Sequence, residues 1–267
     1  LQALKQSGKF FDIITIPGKM PRDVLKNKKL NIGFDPKLFT KKSLNIFFKK
    51  NMCKLKPINI NLIDKIWKRK KARINKNFYI LPAQSVGDNY KSKIKKISTI
   101  LNKNGADYQF ITASENNAWL LNIRGRDSEY SPLPFSYILV DKHKNIKFFC
   151  DLKKIPFYFK RYFKKVQFIS LEKVSGFLSK IYKKKFIIDE NTCSLYFENI
   201  ILKNNKILKI DDPIYGLKAI KNDQEIENIK QAHIWQKVLQ SLPYDVAHAV
   251  AHRNAERLWG LPTANVP

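Results

Sequence analysis

The sequence predicts an α/β fold, because short apolar runs that suit strands alternate with segments whose apolar residues recur at helical spacing. Residues 11–16 and 30–35 are apolar runs that stop at proline, and the apolar residues of 38–51 fall on one helix face. The chain has 267 residues, 44% of them hydrophobic, so it is long enough to bury a core and to form one or two domains.

The first part of the chain, residues 1–67, is predicted to form one α/β unit. Its remaining predicted elements are a short helix over 21–28 and a strand near 55–60. A linker is expected over residues 68–84, which open with the densest basic cluster of the chain, Lys68–Lys71. The linker separates this unit from a second predicted domain, residues 85–220.

The second domain opens with a clear helical pattern. Tyr90, Ile94, Ile97 and Leu101 recur at spacings of 4, 3 and 4, which predicts a helix over 88–104 whose lysines face solvent. The other predicted elements are strands at 107–113, 137–141, 146–150, 186–189 and 207–210, a helix over 171–183 capped by Ser170, a polar helix end at 199–205, and a further helix begun by the capping box of Asn222 and Glu225.

The most informative motif runs from Ala118 to Asp127. It is a buried apolar run, expected as a strand, that ends in an Arg-Gly-Arg-Asp turn before the chain enters the strand at 137–141. Asn122, Arg124 and Asp127 place an amide, a guanidinium and a carboxylate on this turn, as rigid scaffolds do when they present polar groups to a ligand or a domain boundary. A structural alternative stays open, in which Arg124 and Asp127 pair with each other at a strand end.

The net charge of +29 raises the question of a nucleic-acid partner. Of the 51 basic residues, however, 43 are lysine and 8 are arginine, and the lysines are spread along nearly every segment. Since base-edge recognition and phosphate forks favour arginine, a solvated charged surface is the preferred interpretation. We therefore expect no specific nucleic-acid partner, although weak, salt-sensitive binding of polyanions follows from the charge alone.

The cysteines and the hydropathy limit the class of protein further. Cys53, Cys150 and Cys193 lie far apart without CxxC spacing, so neither a zinc knuckle nor a disulfide framework is expected. Buried thiols of this kind are typical of a cytoplasmic protein. No apolar run approaches the length of a membrane span, and no membrane partner is expected.

Several motifs together resemble the Xaa-Pro aminopeptidases, which are three-domain, creatinase-like metallopeptidases. The resemblance covers residues 1–234. The residues that carry it are Leu1–Gln6, Ile32–Pro36, Asn61–Trp67, the positions Ala118, Trp119, Leu120, Asn122, Arg124, Gly125, Asp127, Pro132, Phe135, Ser136 and Tyr137, and the segments Pro213–Ile214, Leu217–Asn222, Glu225–Glu227 and Ala232–Ile234.

The resemblance implies a fold and a domain order. Each N-terminal domain of the family is a mixed sheet with flanking helices, so 1–67 would be a partial first copy and 85–220 a complete second copy. Residues 221–234 would be the first helix of a catalytic domain. In the family these two domains cover the catalytic cleft, restrict it to short peptides and help to build oligomers.

The resemblance also implies an activity for the parent protein, which would remove the N-terminal residue that precedes proline in peptides. Two divalent metals, usually manganese, would be held by two aspartates, one histidine and two glutamates of the catalytic domain. Residues 1–234 contain no such ligand set, so the chain is expected to be non-catalytic and to hold no cofactor. Asn122, Arg124 and Asp127 are the candidates for the surface that faces the cleft, and a homo-oligomeric parent is expected.

The last segment, residues 235–267, differs in composition from everything before it. The formal charge is +28 over residues 1–234 and +1 after them, and the segment resembles the C-terminal helix of amidohydrolase-type enzymes. We interpret it as a foreign helical tail joined at Ile234–Trp235. His248 and His252 lie four residues apart and would share a helix face, which makes them weak metal candidates, although a packed or solvated pair is the preferred interpretation.

Two other functions stay open as alternatives. One is a free-standing basic module that binds polyanions, such as RNA or acidic lipid. The other is the remnant of an amidohydrolase-type hydrolase that uses His248 and His252.

Overall fold

The structure, a computed structural model, describes residues 2–49, 52–67, 76–128, 131–248 and 250. Its contacts divide the chain into a larger unit, formed by residues up to 80 together with 90–217, and a smaller unit, formed by 81–89 together with the residues from 218 onward. The two units are described separately. The division into domains that the sequence predicts stays a prediction.

The described residues up to 67 form a small α/β substructure of the larger unit. Its elements are helices α1 (Gln2–Ser7), α2 (Pro21–Val24), α3 (Lys41–Phe48) and α4 (Leu62–Ile66) and strands β1 (Asn31–Phe34) and β2 (Lys54–Pro57). Strand β3 (Tyr79–Ile80) comes later and pairs with another part of the larger unit. Strands β1 and β2 pair in parallel, and the expected helix at 38–51 begins only after Thr40. It begins there because the Thr40 hydroxyl accepts a hydrogen bond from the Ser43 amide, 3.0 Å away.

The strand that the sequence predicts over residues 11–16 is not formed. Residues 12–15 have no regular secondary structure, and no strand in the described part of the chain pairs with them. Ile13, Ile14 and Ile16 are exposed. An apolar run becomes a strand only when a neighbouring strand supplies its backbone hydrogen bonds, and sequence pattern does not reveal that partner.

The rest of the larger unit is built on a mixed sheet. Helix α5 (Ala83–Val86) belongs to the smaller unit. The helices that follow it are α6 (Tyr90–Lys103), α7 (Ser114–Leu121), α8 (Phe157–Tyr162), α9 (Val174–Ser179), α10 (Leu195–Leu202) and α11 (Pro213–Ala219). The strands are β4 (Tyr108–Ile111), β5 (Ile123–Arg124), β6 (Tyr137–Asp141), β7 (Ile146–Cys150), β8 (Val166–Ser170), β9 (Lys185–Ile188) and β10 (Lys206–Lys209). Residues Leu152–Lys154 and Leu171–Lys173 form 3₁₀ turns.

Six strands form the sheet in the order β10-β9-β4-β6-β7-β8. The pairs β4–β6 and β6–β7 are antiparallel, and the others are parallel. Successive side chains of each strand pack on opposite faces. In β6, for example, Ile138 and Val140 join the core under α6, whereas Leu139 joins the core under α9 and α10. The expected mixed sheet with flanking helices is therefore confirmed.

The apolar run Ala118–Leu121 is helical, which corrects the expectation of a strand. It forms the second half of α7, and Ala118, Leu120 and Leu121 are all buried. A helix that is buried on most of its surface has no polar face, so its sequence lacks the helical period and cannot be told from a buried strand.

Residues 78–80, which lie inside the predicted linker segment, contribute to the folded unit. Phe78 is fully buried in the same core as α6, and Tyr79 and Ile80 pair antiparallel with Arg124 and Ile123. The basic cluster Lys68–Lys71 lies outside the described residues.

The predicted helix over 171–183 is shorter than expected. Only α9 is α-helical, and it follows a 3₁₀ turn. Ser170 does not cap it, because its hydroxyl donates to Glu172 Oε1 at 2.9 Å instead.

Helix α10 is capped by a distant segment of the same unit. Its first two amides, those of Leu195 and Tyr196, donate to the carbonyl oxygens of Phe39 and Pro36 at 2.8 and 3.0 Å. The Nζ of Lys37 lies 5.1 Å from the centre of the Tyr196 ring. These contacts satisfy amides that an α-helix leaves without intrahelical partners and attach the β1–α3 connection to the second part of the unit.

The smaller unit contains α5, α12 (Asp223–Ser241) and α13 (Tyr244–His248). The predicted capping box begins α12: the Glu225 amide donates to Asn222 Oδ1 at 2.9 Å, and the Asn222 amide donates to Glu225 Oε2 at 3.1 Å. The Asn222 side chain also donates to the Val86 carbonyl oxygen, which attaches α12 to α5. Helix α12 continues through Ile234 and Trp235 without a break.

Among the helices of the described residues, none combines the length and the apolar composition that crossing a membrane requires.

Candidate functional site

The loop that follows α7, residues 122–127, contains the three candidate residues. Asn122 ends the helix in the left-handed conformation, with φ at 55°, which asparagine tolerates better than most residues. Gly125 lies against the segment that returns to β6, and a Cβ atom there would come within 2.8 Å of the Leu133 carbonyl oxygen. The turn therefore needs glycine at this position, because the two backbone segments approach too closely for a side chain.

Asn122 is buried and binds a buried lysine. The Lys93 ammonium donates to Asn122 Oδ1 at 2.6 Å and to the Trp119 carbonyl oxygen at 3.0 Å. It also lies 4.0 Å from the centre of the Trp119 ring. Lys93 is 1% exposed, so the expectation that the lysines of α6 face solvent is wrong for this residue. Asn122 thus joins the end of α7 to α6.

Arg124 is half-buried, with its guanidinium against the backbone. Its Nη1 donates to the carbonyl oxygens of Ile123 and Ala118 at 2.9 and 3.4 Å. Burial lowers the pKa of Arg124, and nearby Tyr79 opposes that shift. Within the described ranges no carboxylate forms an ion pair with Arg124. In these ranges the guanidinium therefore donates to peptide carbonyl oxygens and pairs with no carboxylate, so its charge is available to an anionic partner.

Asp127 is used inside the fold. One of its carboxylate oxygens forms an ion pair with the ammonium of Lys154, and both side chains are only 11% exposed. The other oxygen accepts a hydrogen bond of 2.7 Å from the Phe135 amide. Arg124 and Asp127 thus have separate partners, and the alternative in which they pair with each other is wrong.

The structure therefore separates the three candidates by role. Asn122 and Asp127 stabilise the turn through contacts with buried lysines. Arg124, in contrast, is a half-buried cation on the surface of the turn. Whether any of them faces a catalytic cleft stays a prediction.

The two weak metal candidates are not brought into a site. His248 is the last residue of α13, and His252 lies outside the described residues. Across 2–49, 52–67, 76–128, 131–248 and 250, no three residues of the His, Cys, Asp and Glu types are grouped so that they could hold a metal ion. The described residues consequently do not fit a dimetal centre, and no step of catalysis is assigned to them.

Among the described residues no disulfide bond joins Cys53, Cys150 or Cys193. Cys150 and Cys193 are buried in the core. Burial raises the pKa of the Cys193 thiol to about 12, with further contributions from Glu198 and Asp189. Burial likewise raises the pKa of Cys150. Because the thiolate is the reactive form, neither residue is suited to nucleophilic chemistry.

A buried polar network that the sequence did not reveal lies at the end of the sheet, around Asp212. Its Oδ1 accepts from Gln109 Nε2 at 2.8 Å and from the Ile214 amide at 3.0 Å, and its Oδ2 accepts from Asn116 Nδ2 at 2.7 Å. Burial raises the pKa of the Asp212 carboxyl, partly offset by these hydrogen bonds and reinforced by Asp189. The sequence contains one signal for this network, which is the position of the acid Asp212 between strand β10 and Pro213.

The Asp212 network predicts a pH dependence of stability. Its carboxyl binds a proton more tightly in the folded than in the unfolded chain, so its contribution favours folding most at low pH. That contribution is lost as the pH rises from the ordinary carboxyl value of 3.8 through the raised pKa. We expect the stability of the wild type relative to Asp212→Asn to fall over this range, as measured by urea unfolding at a series of pH values.

Asp211→Asn is the matched control, because the neighbouring Asp211 carboxylate is exposed. The assignment fails if the Asp212→Asn difference is independent of pH, or if Asp211→Asn shows the same trend.

Comparison with known proteins places this fold in a class. The X-prolyl aminopeptidase from Caenorhabditis elegans superposes with a TM-score of 0.73 over 90% of this chain and 41% of its own, at 22% sequence identity. The mixed sheet with flanking helices is thus the fold of a creatinase-like N-terminal region. Residues 69–225 match the sequence model of the creatinase/prolidase N-terminal domain, and the chain belongs to that family.

Two curated relatives extend the match beyond this domain. Xaa-Pro aminopeptidase 1 from Dictyostelium discoideum is 31% identical in an alignment of 230 residues that covers 78% of this chain and 35% of the relative. Xaa-Pro aminopeptidase ApepP from Drosophila melanogaster is 30% identical in an alignment of 213 residues that covers 76% of this chain and 34% of the relative. The chain therefore spans about a third of the length of these relatives.

Proposed function

We propose that this chain is the N-terminal, non-catalytic portion of a metal-dependent Xaa-Pro aminopeptidase. The match of residues 69–225 to an N-terminal domain family carries the proposal. The similarity to two proteins named Xaa-Pro aminopeptidases, each about three times longer than the matched part, supports it. In the longer protein, two divalent metals, manganese in this proposal, would generate the attacking hydroxide at a catalytic domain and polarise the peptide carbonyl before proline.

The parent's partners follow from the same proposal. Its substrates would be short proline-containing peptides, and the domains represented here would border the cleft and contribute to a homo-oligomer. We place the parent in the cytoplasm, and we expect neither sequence-selective nucleic-acid binding nor membrane association. The predominance of lysine among the basic residues supports the expectation about nucleic acid. The lack of a long apolar run supports the expectation about membranes.

The first test is catalysis by this chain alone. Purified chain loaded with Mn²⁺ and incubated with an Xaa-Pro peptide should release no N-terminal residue, because the described residues contain no group that fits a dimetal site. Metal analysis after dialysis should show no stoichiometric manganese. A His248→Ala, His252→Ala double variant is the control, since any retained metal that it abolishes would come from that pair.

Turnover with stoichiometric manganese in the wild type would overturn the non-catalytic assignment. Retention of zinc that the double variant abolishes, together with hydrolase activity, would favour the amidohydrolase alternative.

The second test concerns Arg124, the candidate that keeps an available cation. We expect Arg124→Ala to cost this chain about 1 kcal/mol of folding stability, since its contacts are hydrogen bonds to two carbonyl oxygens. In the longer peptidase the same substitution should lower kcat/KM for Xaa-Pro peptides by about tenfold, because a charge near the cleft would be lost. Urea unfolding and steady-state kinetics measure the two effects.

Arg124→Lys keeps the charge and serves as the control for the cleft assignment. If Arg124→Ala leaves kcat/KM unchanged while it destabilises the fold, Arg124 is a structural residue and does not face the cleft.

A further inference from the structure

Helix α8 presents an unusual exposed surface, which we call the α8 face and define as Phe157, Tyr158, Arg161 and Tyr162. Phe157 is 80% exposed, Tyr158 48% and Tyr162 44%, and Arg161 is exposed as well. Large aromatic rings are rarely displayed together on a protein surface without a partner.

The helical period explains how these side chains come together. At about 100° per residue, Phe157, Arg161, Tyr158 and Tyr162 fall, in that order, within an arc of about 140°. Phe159 lies outside this arc and is fully buried, with ring contacts to Phe163 and Phe168. The core therefore anchors one side of α8. Of the exposed rings, that of Tyr162 also contacts the buried rings of Tyr90 and Phe163, with centroids 5.7 and 4.8 Å apart, whereas Phe157 is 80% exposed.

Exposed cations lie next to the α8 face along the chain. Residues 151–170 contain six basic residues and one acid. Lys154 is used in the ion pair with Asp127, and the acid, Asp151, accepts a hydrogen bond from the Lys153 amide. The remaining basic residues are exposed: Lys153, Lys160, Arg161, Lys164 and Lys165.

We infer that the α8 face binds single-stranded nucleic acid without sequence preference. Flat aromatic rings stack on bases of any identity, and lysine and arginine side chains around them neutralise phosphates. Six helical residues span about 9 Å, which matches about two or three stacked nucleotides. This inference does not depend on the proposed peptidase role of the parent.

The shape and chemistry of the face favour nucleic acid over a lipid surface. Helices that bind membranes insert a broad apolar face, whereas the apolar side of α8 is already buried in the protein. Two of the three exposed rings are tyrosines, whose hydroxyl groups resist insertion into hydrocarbon but do not prevent a base from stacking on the exposed part of the ring.

The test is binding of the full chain to a fluorescein-labelled oligouridylate of about 12 nucleotides, followed by anisotropy. We expect Phe157→Ala, Tyr158→Ala to raise Kd about tenfold or more, since stacking on two rings is lost. The matched control is Tyr182→Ala, which removes an exposed ring elsewhere and should leave Kd unchanged. Because the rings removed in these variants, those of Phe157, Tyr158 and Tyr182, are exposed, circular dichroism should show that every variant folds.

The cationic part of the face is tested by the salt dependence of Kd between about 50 and 200 mM salt. Lys160→Ala, Lys164→Ala should reduce the slope of log Kd against log salt by about 0.7 for each phosphate that the variant no longer neutralises. Lys91→Ala, Lys95→Ala, which removes two exposed cations of α6, should leave the slope unchanged.

Three outcomes would overturn the inference. The first is an unchanged Kd for the aromatic double variant, and the second is equal changes in slope for the two lysine pairs, which would indicate diffuse charge only. The third is an aromatic double variant that no longer binds vesicles of phosphatidylcholine and phosphatidylserine but still binds the oligonucleotide as the wild type does. That result would assign the face to a membrane. Heparin, which has no bases, should bind the aromatic double variant as well as the wild type.

Discussion

Asp127→Ala is expected to destabilise the chain by about 3–5 kcal/mol, the largest effect of any substitution in the candidate loop. The substitution leaves the Lys154 ammonium, 11% exposed, without its carboxylate and leaves the Phe135 amide without its acceptor. A buried charge that loses its partner keeps the full cost of its lost hydration. The free energy of unfolding in urea measures the effect.

A double-mutant cycle separates this cost from the value of the pair. Lys154→Met removes the buried ammonium, so Asp127→Ala, Lys154→Met should be markedly more stable than Asp127→Ala alone. Asp12→Ala, at an exposed carboxylate, is the control and should change stability by less than about 0.5 kcal/mol. Equal costs for Asp127→Ala and Asp12→Ala would show that the ion pair does not hold the turn.

Phe148→Ala is expected to cost about 3–5 kcal/mol, because it opens a cavity in the main core. Phe148 lies in β7 with no exposed surface, and its ring contacts those of Phe78 and Phe168. The two surrounding rings come from two different segments and cannot both move into the space without disturbing the sheet. Thermal and urea unfolding, followed by circular dichroism, measure the loss.

Phe157→Ala removes the same side chain from an exposed position and serves as the matched control. We expect it to change stability by less than about 0.5 kcal/mol. A Phe148→Ala variant as stable as Phe157→Ala would contradict the assignment of β7 to the core.

Sequence pattern is most accurate where structure is local. The hairpin strands are predicted at 137–141 and 146–150, and β6 and β7 have these same bounds. The capping box at Asn222 is also predicted correctly. In both cases the residues that determine the element lie within a few positions of one another, so a short window of sequence contains the whole cause.

Elements that depend on distant partners are predicted less well. Strand β8 at Val166–Ser170 is missed, and residues 11–16 are predicted as a strand that the structure does not contain. Strand formation requires a neighbour that is remote in sequence, and the apolar pattern alone carries no information about it.

The candidate loop illustrates the same limit. The motif draws attention to Asn122 and Asp127, but their partners Lys93 and Lys154 lie 29 and 27 residues away. Lysine is so abundant here that neither partner stands out, even though Lys93 occupies a position on the apolar stripe of α6, three residues after Tyr90. A lysine inside an apolar stripe is thus the signal that would have indicated a buried role.

The cap on helix α10 has a consequence for biosynthesis. The carbonyl oxygens of Pro36 and Phe39 meet amides that lie more than 150 residues further along the chain. During translation, the β1–α3 connection must therefore wait until α10 has left the ribosome before it can dock, although its own residues emerged long before. The nascent chain consequently carries an undocked β1–α3 connection while more than 150 further residues are added, which is the interval in which a chaperone would be needed.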